Sequence, residues 1–311
     1  MRSINYLLPV IRRHSRNENY SLTEGIVDEQ IIQYVNDAQD YLQSALNSTN
    51  QVNKPFVVEK IISLVASQEA YSIPGRLFYN KEIQQVEYSY DGQTSNYRLL
   101  PKVHTFNRFT YNTTYVDGYY VRGNTINVVP TPAASVGSLR VLFEGKLDTL
   151  DKRRGQITTV TGLTSTGFTS ITLDSTADET SNPNLTNIDY ICINDANGNV
   201  TAYNIPVSNY NTGTNVLTPG TFTFQTGETI TNGSYVTFGK YSTTHSKLPD
   251  ECEAYLIHYA CQQIFHVDSS DDAAEEAATC AKLEQGILAA NKSQTAEIMY
   301  IPQVNWDEWW Y

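Results

Sequence analysis

The stretch Leu248-Pro-Asp-Glu-Cys-Glu-Ala-Tyr-Leu-Ile-His-Tyr-Ala-Cys-Gln-Gln-Ile-Phe-His266 decides the fold. Pro249 suits the first turn of a helix, where its missing N–H is not needed, and the acidic residues after it match the positive end of the helix dipole. Apolar residues at positions 252, 256, 260 and 264 recur every four residues, with Tyr255 and Tyr259 beside them. Because this apolar face is too wide for a surface helix, the pattern predicts a core helix that is contacted from several sides.

Two further helices are predicted near the chain ends. Asp28 is a suitable N-cap, and apolar residues at positions 31, 35, 38, 42 and 45 follow it at alternating spacings of four and three. A stripe of this kind needs a partner, and the core helix is the obvious one, so we expect the two ends of the chain to meet. The third helix is predicted to begin after Ser269 or Ser270. The packed face of this third helix is predicted to carry Ala274, Ala277, Ala281 and Leu288.

The remaining chain is typical of strands and turns. The whole chain has 22 Tyr, 17 Gly and 11 Pro but only 17% charged residues, which favours a β-rich protein. The segment Lys60–Val65 favours a strand over a short helix, and Ile83–Leu100 and Tyr119–Val129 are predicted hairpins. A half-buried strand is predicted where apolar and polar residues alternate, with Leu139, Val141 and Phe143 on its buried side.

Residues 156–239 differ in composition from the rest. Thr, Asn and Gly dominate this range, which contains acidic residues but no Lys or Arg. Segments 185–193 and 230–238 look like two copies of one turn-plus-strand unit, as expected in a small barrel or sandwich. A surface that binds nucleic-acid phosphates needs cations to replace counterions, so this domain is not expected to grip DNA or RNA.

These patterns together predict an α+β fold. A helical bundle formed by the N- and C-terminal segments would pack with an antiparallel β-sheet, and an all-β domain, a small barrel or sandwich, would be inserted. A chain of 311 residues is longer than one core usually supports. The predicted parts are a basic N-terminal arm over 1–20, a core over 21–154 with 240–292, the inserted domain over 155–239, and an extended aromatic tail over 293–311.

The cysteines and the hydropathy pattern bear on the cellular environment. The four cysteines, at positions 192, 252, 261 and 280, lack the spacing of a zinc knuckle and are interpreted as buried reduced thiols, with a metal site or disulfide as the alternative. No apolar run approaches the length of a membrane span, and the first residues do not form a signal peptide. We therefore expect a soluble, cytoplasmic origin and no membrane partner.

The sequence shows no motif that is typical of enzymes. His258 and His266 lie eight residues apart on the predicted core helix, but no carboxylate stands at a spacing that would complete a metal triad with them. Histidines at positions 14, 104 and 245 stand alone, and no GxSxG, HExxH, P-loop or GxGxxG pattern is present. The calcium-like start at Asp195 has Pro206 where a bidentate Glu is needed, so a hairpin turn is favoured. The sequence supports neither an enzyme, nor a cofactor, nor a metal site.

Two segments suggest assembly instead. Arg12, Arg13 and Arg16 could form a solvated arm or a contact for an acidic partner or for DNA. The tail at positions 301–311 holds all three tryptophans of the chain. It could fold back on its own domain or insert Trp306, Trp309, Trp310 and Tyr311 into a partner.

The order of these parts resembles the head-to-tail connector, or adaptor, ring proteins of tailed bacteriophages. The residues that carry the resemblance are the helix beginning Asp28-Glu-Gln-Ile-Ile-Gln-Tyr-Val, then Tyr71-Ser-Ile-Pro74, Tyr120-Val-Arg-Gly-Asn-Thr-Ile-Asn-Val-Val-Pro130, Leu139-Arg-Val-Leu-Phe143 and Leu248-Pro-Asp-Glu251. It covers about residues 20–150 and 245–292. The inserted domain departs from the short adaptors and is similar to ring proteins of short-tailed phages, including the crAss-like group.

The resemblance implies a structural ring subunit, commonly twelve-fold, that joins the portal to the tail. It implies self-association, binding to the portal and to further tail or ring proteins, and passage of the genome through a channel without specific binding. Its location would be the head-tail junction of the virion, after assembly in the host cytoplasm. Portal docking by extended termini is carried over to Trp306, Asp307, Trp309, Trp310 and Tyr311.

A rival interpretation comes from another class of protein. A receptor- or glycan-binding tail protein would use the Thr/Asn/Tyr-rich β domain as its reader, with Tyr190, Tyr203 and Tyr210 as candidate contacts. A glycan depolymerase ranks third, because no acid pair can be singled out.

Overall fold

The structure of the protein is a computed structural model. It describes residues 2–16, 26–49, 56–72, 83–93, 96–110, 115–123, 125–174, 188–224, 228–268 and 270–298. The described residues form two compact units. Unit 1 comes from residues 1–50 and 147–311, and unit 2 comes from residues 51–146.

Unit 1 contains four α-helices, as far as the described residues extend. They are α1 (Ile4–His14), α2 (Asp28–Thr49), α3 (Glu253–Val267) and α4 (Asp272–Ile298). Helix α3 contacts α1, α2 and α4, and its buried residues include Tyr255, Leu256, Ala260 and Ile264. The predicted core helix and the meeting of the chain ends are thereby confirmed. The α-helix begins at Glu253, after a 3₁₀ turn over Asp250–Cys252 that Pro249 precedes.

The sequence of residues 1–20 predicts a basic arm, whereas the structure has helix α1 in this segment. Its buried residues are Ile4, Leu7, Leu8 and Ile11, which recur at helical spacing. Because these side chains pack inside unit 1, the segment is a docked helix.

The packed face of α4 was predicted wrongly in part. Ala274 and Ala281 are exposed, while Ala273 and Cys280 are buried. The predicted cap is present, since Ser270 Oγ accepts a hydrogen bond from the Asp272 N–H at 3.2 Å. The buried face is therefore rotated by about one residue, because packing against α3 selects the face.

A closed antiparallel β-barrel forms the other part of unit 1. Its strands are ordered β10-β13-β12-β11-β14-β9. Their bounds are β9 (Gly155–Thr161), β10 (Ser170–Leu173), β11 (Tyr190–Asn194), β12 (Val200–Asn211), β13 (Val216–Pro219) and β14 (Tyr235–Phe238). The core of the barrel includes Ile157, Ile171, Ile193, Ile205 and Val236. The all-β segment expected from the sequence is thus a barrel, and the two similar units contribute its neighbouring strands β11 and β14.

Short segments join the barrel to the helices. Strand β8 (Thr149–Leu150) pairs in parallel with β15 (Ser242–Thr243). Helix α2 bonds to this region through Asn36, whose amide exchanges two hydrogen bonds with the backbone of Leu150, and through Gln39, which donates to the Asp148 carbonyl. The barrel and the helices consequently share one compact unit.

Unit 2 contains two antiparallel sheets with a shared apolar core. The four-stranded sheet has the order β1-β7-β3-β4, and the three-stranded sheet has the order β2-β6-β5. Their bounds are β1 (Val57–Ser63), β2 (Ala70–Ser72), β3 (Ile83–Ser89), β4 (Arg98–Leu99), β5 (Gly118–Arg122), β6 (Thr125–Val129) and β7 (Ser138–Glu144). Pairing of β3 with β4 and of β5 with β6 confirms both predicted hairpins.

The structure confirms the predicted α+β class. The compact units divide the chain differently from the four predicted parts, because residues 51–146 stand as a unit of their own. Within the described ranges, none of the helices is both long and apolar enough to cross a membrane.

Candidate functional site

Helix α1 and the contacts that hold it within unit 1 form the first candidate functional region. Its start is fixed by the backbone, because the Ile4 N–H donates to the Thr244 carbonyl at 2.9 Å and Ser3 forms a β-bridge with His245. Further along, Ile11 is fully buried, and its carbonyl accepts a 3.8 Å contact from the thiol of Cys261 on α3. The N-terminal segment is therefore attached along its whole helical length.

Arg12 takes part in an ion network beneath this helix. Its guanidinium donates to Asp28 Oδ1 at 2.6 and 3.1 Å and to the Ile26 carbonyl at 3.2 Å. The Lys152 ammonium lies 3.2 Å from Asp28 Oδ2. Burial alone would raise the pKa of Asp28, but the hydrogen bonds and charges of Arg12 and Lys152 outweigh it, so the pKa is lowered. Arg12 thus belongs to the fold and stabilises the first residues of helix α2.

The same network continues to the first barrel strand. Arg154, whose side chain is 8% exposed, donates to Asp151 Oδ1 at 2.6 Å and to Glu29 Oε1 at 3.0 Å. Burial would raise the pKa of Glu29, but Lys152 and Arg154 outweigh it and lower the pKa. The guanidinium of Arg154 also lies over the Phe238 ring, 4.8 Å from its centroid. These charges connect α1, α2 and the barrel.

The other two predicted basic contacts lie at the surface. Arg13 is exposed near the end of α1. The side chain of Arg16 is 81% exposed, and its guanidinium lies 3.6 Å from Asp272 Oδ2. The structure therefore separates the three arginines, with Arg12 held in the fold and Arg13 and Arg16 facing solvent. Their contacts with a partner stay a prediction.

The predicted docking tail lies outside the described residues. This applies to Trp306, Asp307, Trp309, Trp310 and Tyr311. Their role in binding a partner also stays a prediction.

A side-chain cluster that the sequence did not reveal joins three helices. His14 Nε2 at the end of α1 lies 2.8 Å from Glu276 Oε1 on α4, and His258 Nδ1 on α3 lies 2.6 Å from Glu276 Oε2. The two imidazole rings are perpendicular, with centroids 4.9 Å apart. We call these three residues the His–Glu cluster. Linear spacing could not predict it, because its members come from three separate helices.

An exposed apolar patch lies at one end of the four-stranded sheet of unit 2. The register aligns Ser63, Ser138 and Ser89 across strands β1, β7 and β3. Three exposed side chains stand one or two residues beyond these positions, and we call them the sheet-end patch: Val65, Tyr90 and Val136, which are 46%, 57% and 58% exposed. Grouped exposed apolar side chains of this kind are typical of interaction surfaces.

The tyrosines of the glycan-binding hypothesis do not form a common exposed platform. Tyr210 is 6% exposed and belongs to the barrel core, where its hydroxyl donates to Asn215. The hydroxyl of Tyr203 donates to Asp148 Oδ2 at 3.1 Å, and burial and this carboxylate raise its pKa. Tyr190 is half-buried, with the Lys240 ammonium 4.0 Å from its ring centroid. Two of the three proposed sugar contacts are therefore engaged inside the protein.

Comparison with known proteins bears on the resemblance. Residues 10–153 match the model of a family described as SU10 adaptor protein. The range extends from the last turns of α1 through α2 and unit 2 and ends just before the first barrel strand, β9. No curated protein matches the chain. The resemblance to a phage head-to-tail adaptor is confirmed over the matched range, and the crAss-like detail stays a prediction.

Proposed function

Because residues 10–153 match the SU10 adaptor protein family, we propose that this protein is a ring subunit of a tailed-phage virion, joining the portal to the tail. The family match supports a structural phage adaptor that is a component of the virion. The proposal also includes a closed ring, with twelve copies expected, and a central channel for the genome. It also assigns the protein to short-tailed phages such as the crAss-like group. The family match is the observation that carries the proposal.

Self-association is supported by the sheet-end patch. A ring requires a heterologous contact in which one surface of a subunit meets a different surface of its neighbour. Val65, Tyr90 and Val136 offer exposed apolar area at one end of the four-stranded sheet. We assign this patch to one side of the subunit–subunit contact.

The charge distribution is compatible with a DNA channel. Residues 156–239 contain no Lys or Arg, and the whole chain has a net charge of -12. A channel lined by such a surface would repel phosphates, so that DNA could pass without adhering. We propose that the acidic surface faces the lumen and that the aromatic tail, which includes Trp306 and Trp309, docks into the portal.

Native mass spectrometry of the purified chain tests self-association. We expect a discrete oligomer for the wild type and a shift toward monomer for the combined variant Val65→Ser, Tyr90→Ser and Val136→Ser. Ile61→Ser is a matched control, because Ile61 is 54% exposed in the middle of strand β1 and not at the sheet end. A wild-type chain that stays monomeric at every concentration, alone and with portal, would refute the ring.

Capture on immobilised portal protein tests the tail. A chain ending at Asn305 should keep the circular-dichroism spectrum of the full chain but lose binding to the portal. Equal binding by the two chains would show that the tail is not part of the portal interface. The ring proposal would then be decided by native mass spectrometry alone.

A further inference from the structure

The His–Glu cluster contains the donor set of a transition-metal site. We propose that His14, His258 and Glu276 bind one divalent ion of the zinc class, which fastens α1 to α3 and α4. The imidazole nitrogens and the carboxylate oxygens that could act as ligands all lie within 4.8 Å of one another. Two imidazoles and one carboxylate are an established ligand combination for Zn²⁺.

The distances between the ligand atoms of the cluster are compatible with a bound ion after a small rearrangement of the side chains. Ligand atoms about 2.0–2.2 Å from a tetrahedral ion stand roughly 3.3 Å apart. The two nitrogen–oxygen distances, 2.8 and 2.6 Å, end on different oxygens of Glu276 and must lengthen slightly to admit the ion, whereas the widest separations, up to 4.8 Å, must shorten. The cluster is thus close to coordination geometry while it is held together by hydrogen bonds.

Zinc binding at the His–Glu cluster requires only that protons move, with no change of oxidation state. Each imidazole now has an N–H available for the Glu276 carboxylate, whereas coordination needs lone pairs at His14 Nε2 and His258 Nδ1. A neutral imidazole supplies the lone pair by carrying its proton on the other ring nitrogen, and a protonated imidazole releases one proton on binding.

Solvent access leaves room for a fourth ligand. The side chains of His14, His258 and Glu276 are 43%, 25% and 13% exposed, so the cluster opens on the His14 side and is closed beneath Glu276. The buried thiols of Cys261 and Cys280 do not belong to the group of ligand atoms that lie within 4.8 Å of one another. The expected complex has three protein ligands and one water molecule.

Titration of the full-length protein tests the site. After treatment with EDTA and its removal, isothermal titration calorimetry with ZnCl₂ should show one ion per chain. At free zinc about 100-fold above Kd, the unfolding temperature should rise by about 5 °C or more. Amide exchange in residues 4–14 should slow on zinc addition, because the ion ties the end of α1 to two other helices. Co²⁺ should give the visible absorption bands of a tetrahedral complex.

Matched variants locate the ion. His14→Ala and Glu276→Gln should each weaken zinc binding more than about 100-fold, a larger loss than removing a neighbour of a ligand causes. His266→Ala and Glu275→Gln, exposed positions on α3 and α4, should bind as the wild type does. Absence of stoichiometric binding by the folded wild type, or unchanged binding by both cluster variants, would overturn the proposal. Either result leaves the adaptor function untouched.

Discussion

Replacing Arg12 by alanine tests whether the basic residues of the N-terminal helix serve the fold. The substitution removes two hydrogen bonds to Asp28 and one to the Ile26 carbonyl. Hydrogen bonds to charged groups contribute about 1.5–3 kcal/mol. Because the side chains of Arg12 and Asp28 are 13% and 30% exposed, solvent reduces this contribution. Lys152 remains beside Asp28, so the loss in free energy of unfolding should be smaller than the ~3–5 kcal/mol that is typical of an uncompensated buried charge.

We therefore expect Arg12→Ala to lower the free energy of unfolding of unit 1 by about 2 kcal/mol. Arg16→Ala is the matched control, since an ion pair with a side chain 81% exposed contributes less than about 1 kcal/mol. Urea denaturation followed by the helical circular-dichroism signal reports on unit 1, which contains α1–α4. In the Asp28→Asn background, Arg12→Ala should cost about 1 kcal/mol less than in the wild type. Equal losses for Arg12→Ala and Arg16→Ala would refute the assignment of Arg12 to the ion network.

Two further predictions concern acid stability and backbone geometry. Folding lowers the pKa values of Asp28 and Glu29, so the stability that these two carboxylates contribute is complete above their ordinary pKa values of 3.8 and 4.5 and is lost as the pH falls through the lower folded values. The urea midpoint should therefore fall between pH 6 and pH 3 in the wild type and fall less steeply in Arg12→Ala. Parallel curves for the two proteins would contradict this. At Gly198 (φ +84°) an added Cβ would lie 2.0 Å from His245 Nδ1, whereas at Gly239 (φ +91°) it would meet nothing within 4 Å. Gly198→Ala should therefore destabilise unit 1 by about 1–3 kcal/mol more than Gly239→Ala in the same assay, and equal losses would show that the clash is relieved.

Local signals explain which elements were predictable from the sequence. Helix α2 has an N-terminal acidic residue and a regular apolar stripe, and the hairpins of unit 2 have Asp91-Gly92 and Gly123-Asn124 between alternating strands. Each of these patterns lies within one short segment of the chain, so it does not depend on distant residues. The family match later covered this same part of the chain.

Helix α1 was missed because its local signals conflict. Basic residues in its last turn suit the negative end of the helix dipole, but Pro9 lies inside it and disfavours a helix. Burial of Leu7 and Ile11 against α3 outweighs this local preference. Tertiary packing of this kind is set by residues about 250 positions away, as the contact between Ile11 and Cys261 shows.

The two remaining differences have the same cause. The alanine-rich sequence of α4 offers several faces of similar hydrophobicity, and contact with α3 selected Ala273 and Cys280 over Ala274 and Ala281. The His–Glu cluster exists only because α1, α3 and α4 converge, so the linear sequence shows no carboxylate at ligand spacing from His258. Chemistry assembled from distant helices becomes visible only in the folded chain.

Cryo-electron microscopy of the full-length protein mixed with the portal of its phage tests the ring proposal. We expect a closed ring stacked coaxially on the portal, with an open central channel and the sheet-end patch between adjacent copies. Single copies scattered on the portal, or particles without a channel, would contradict it.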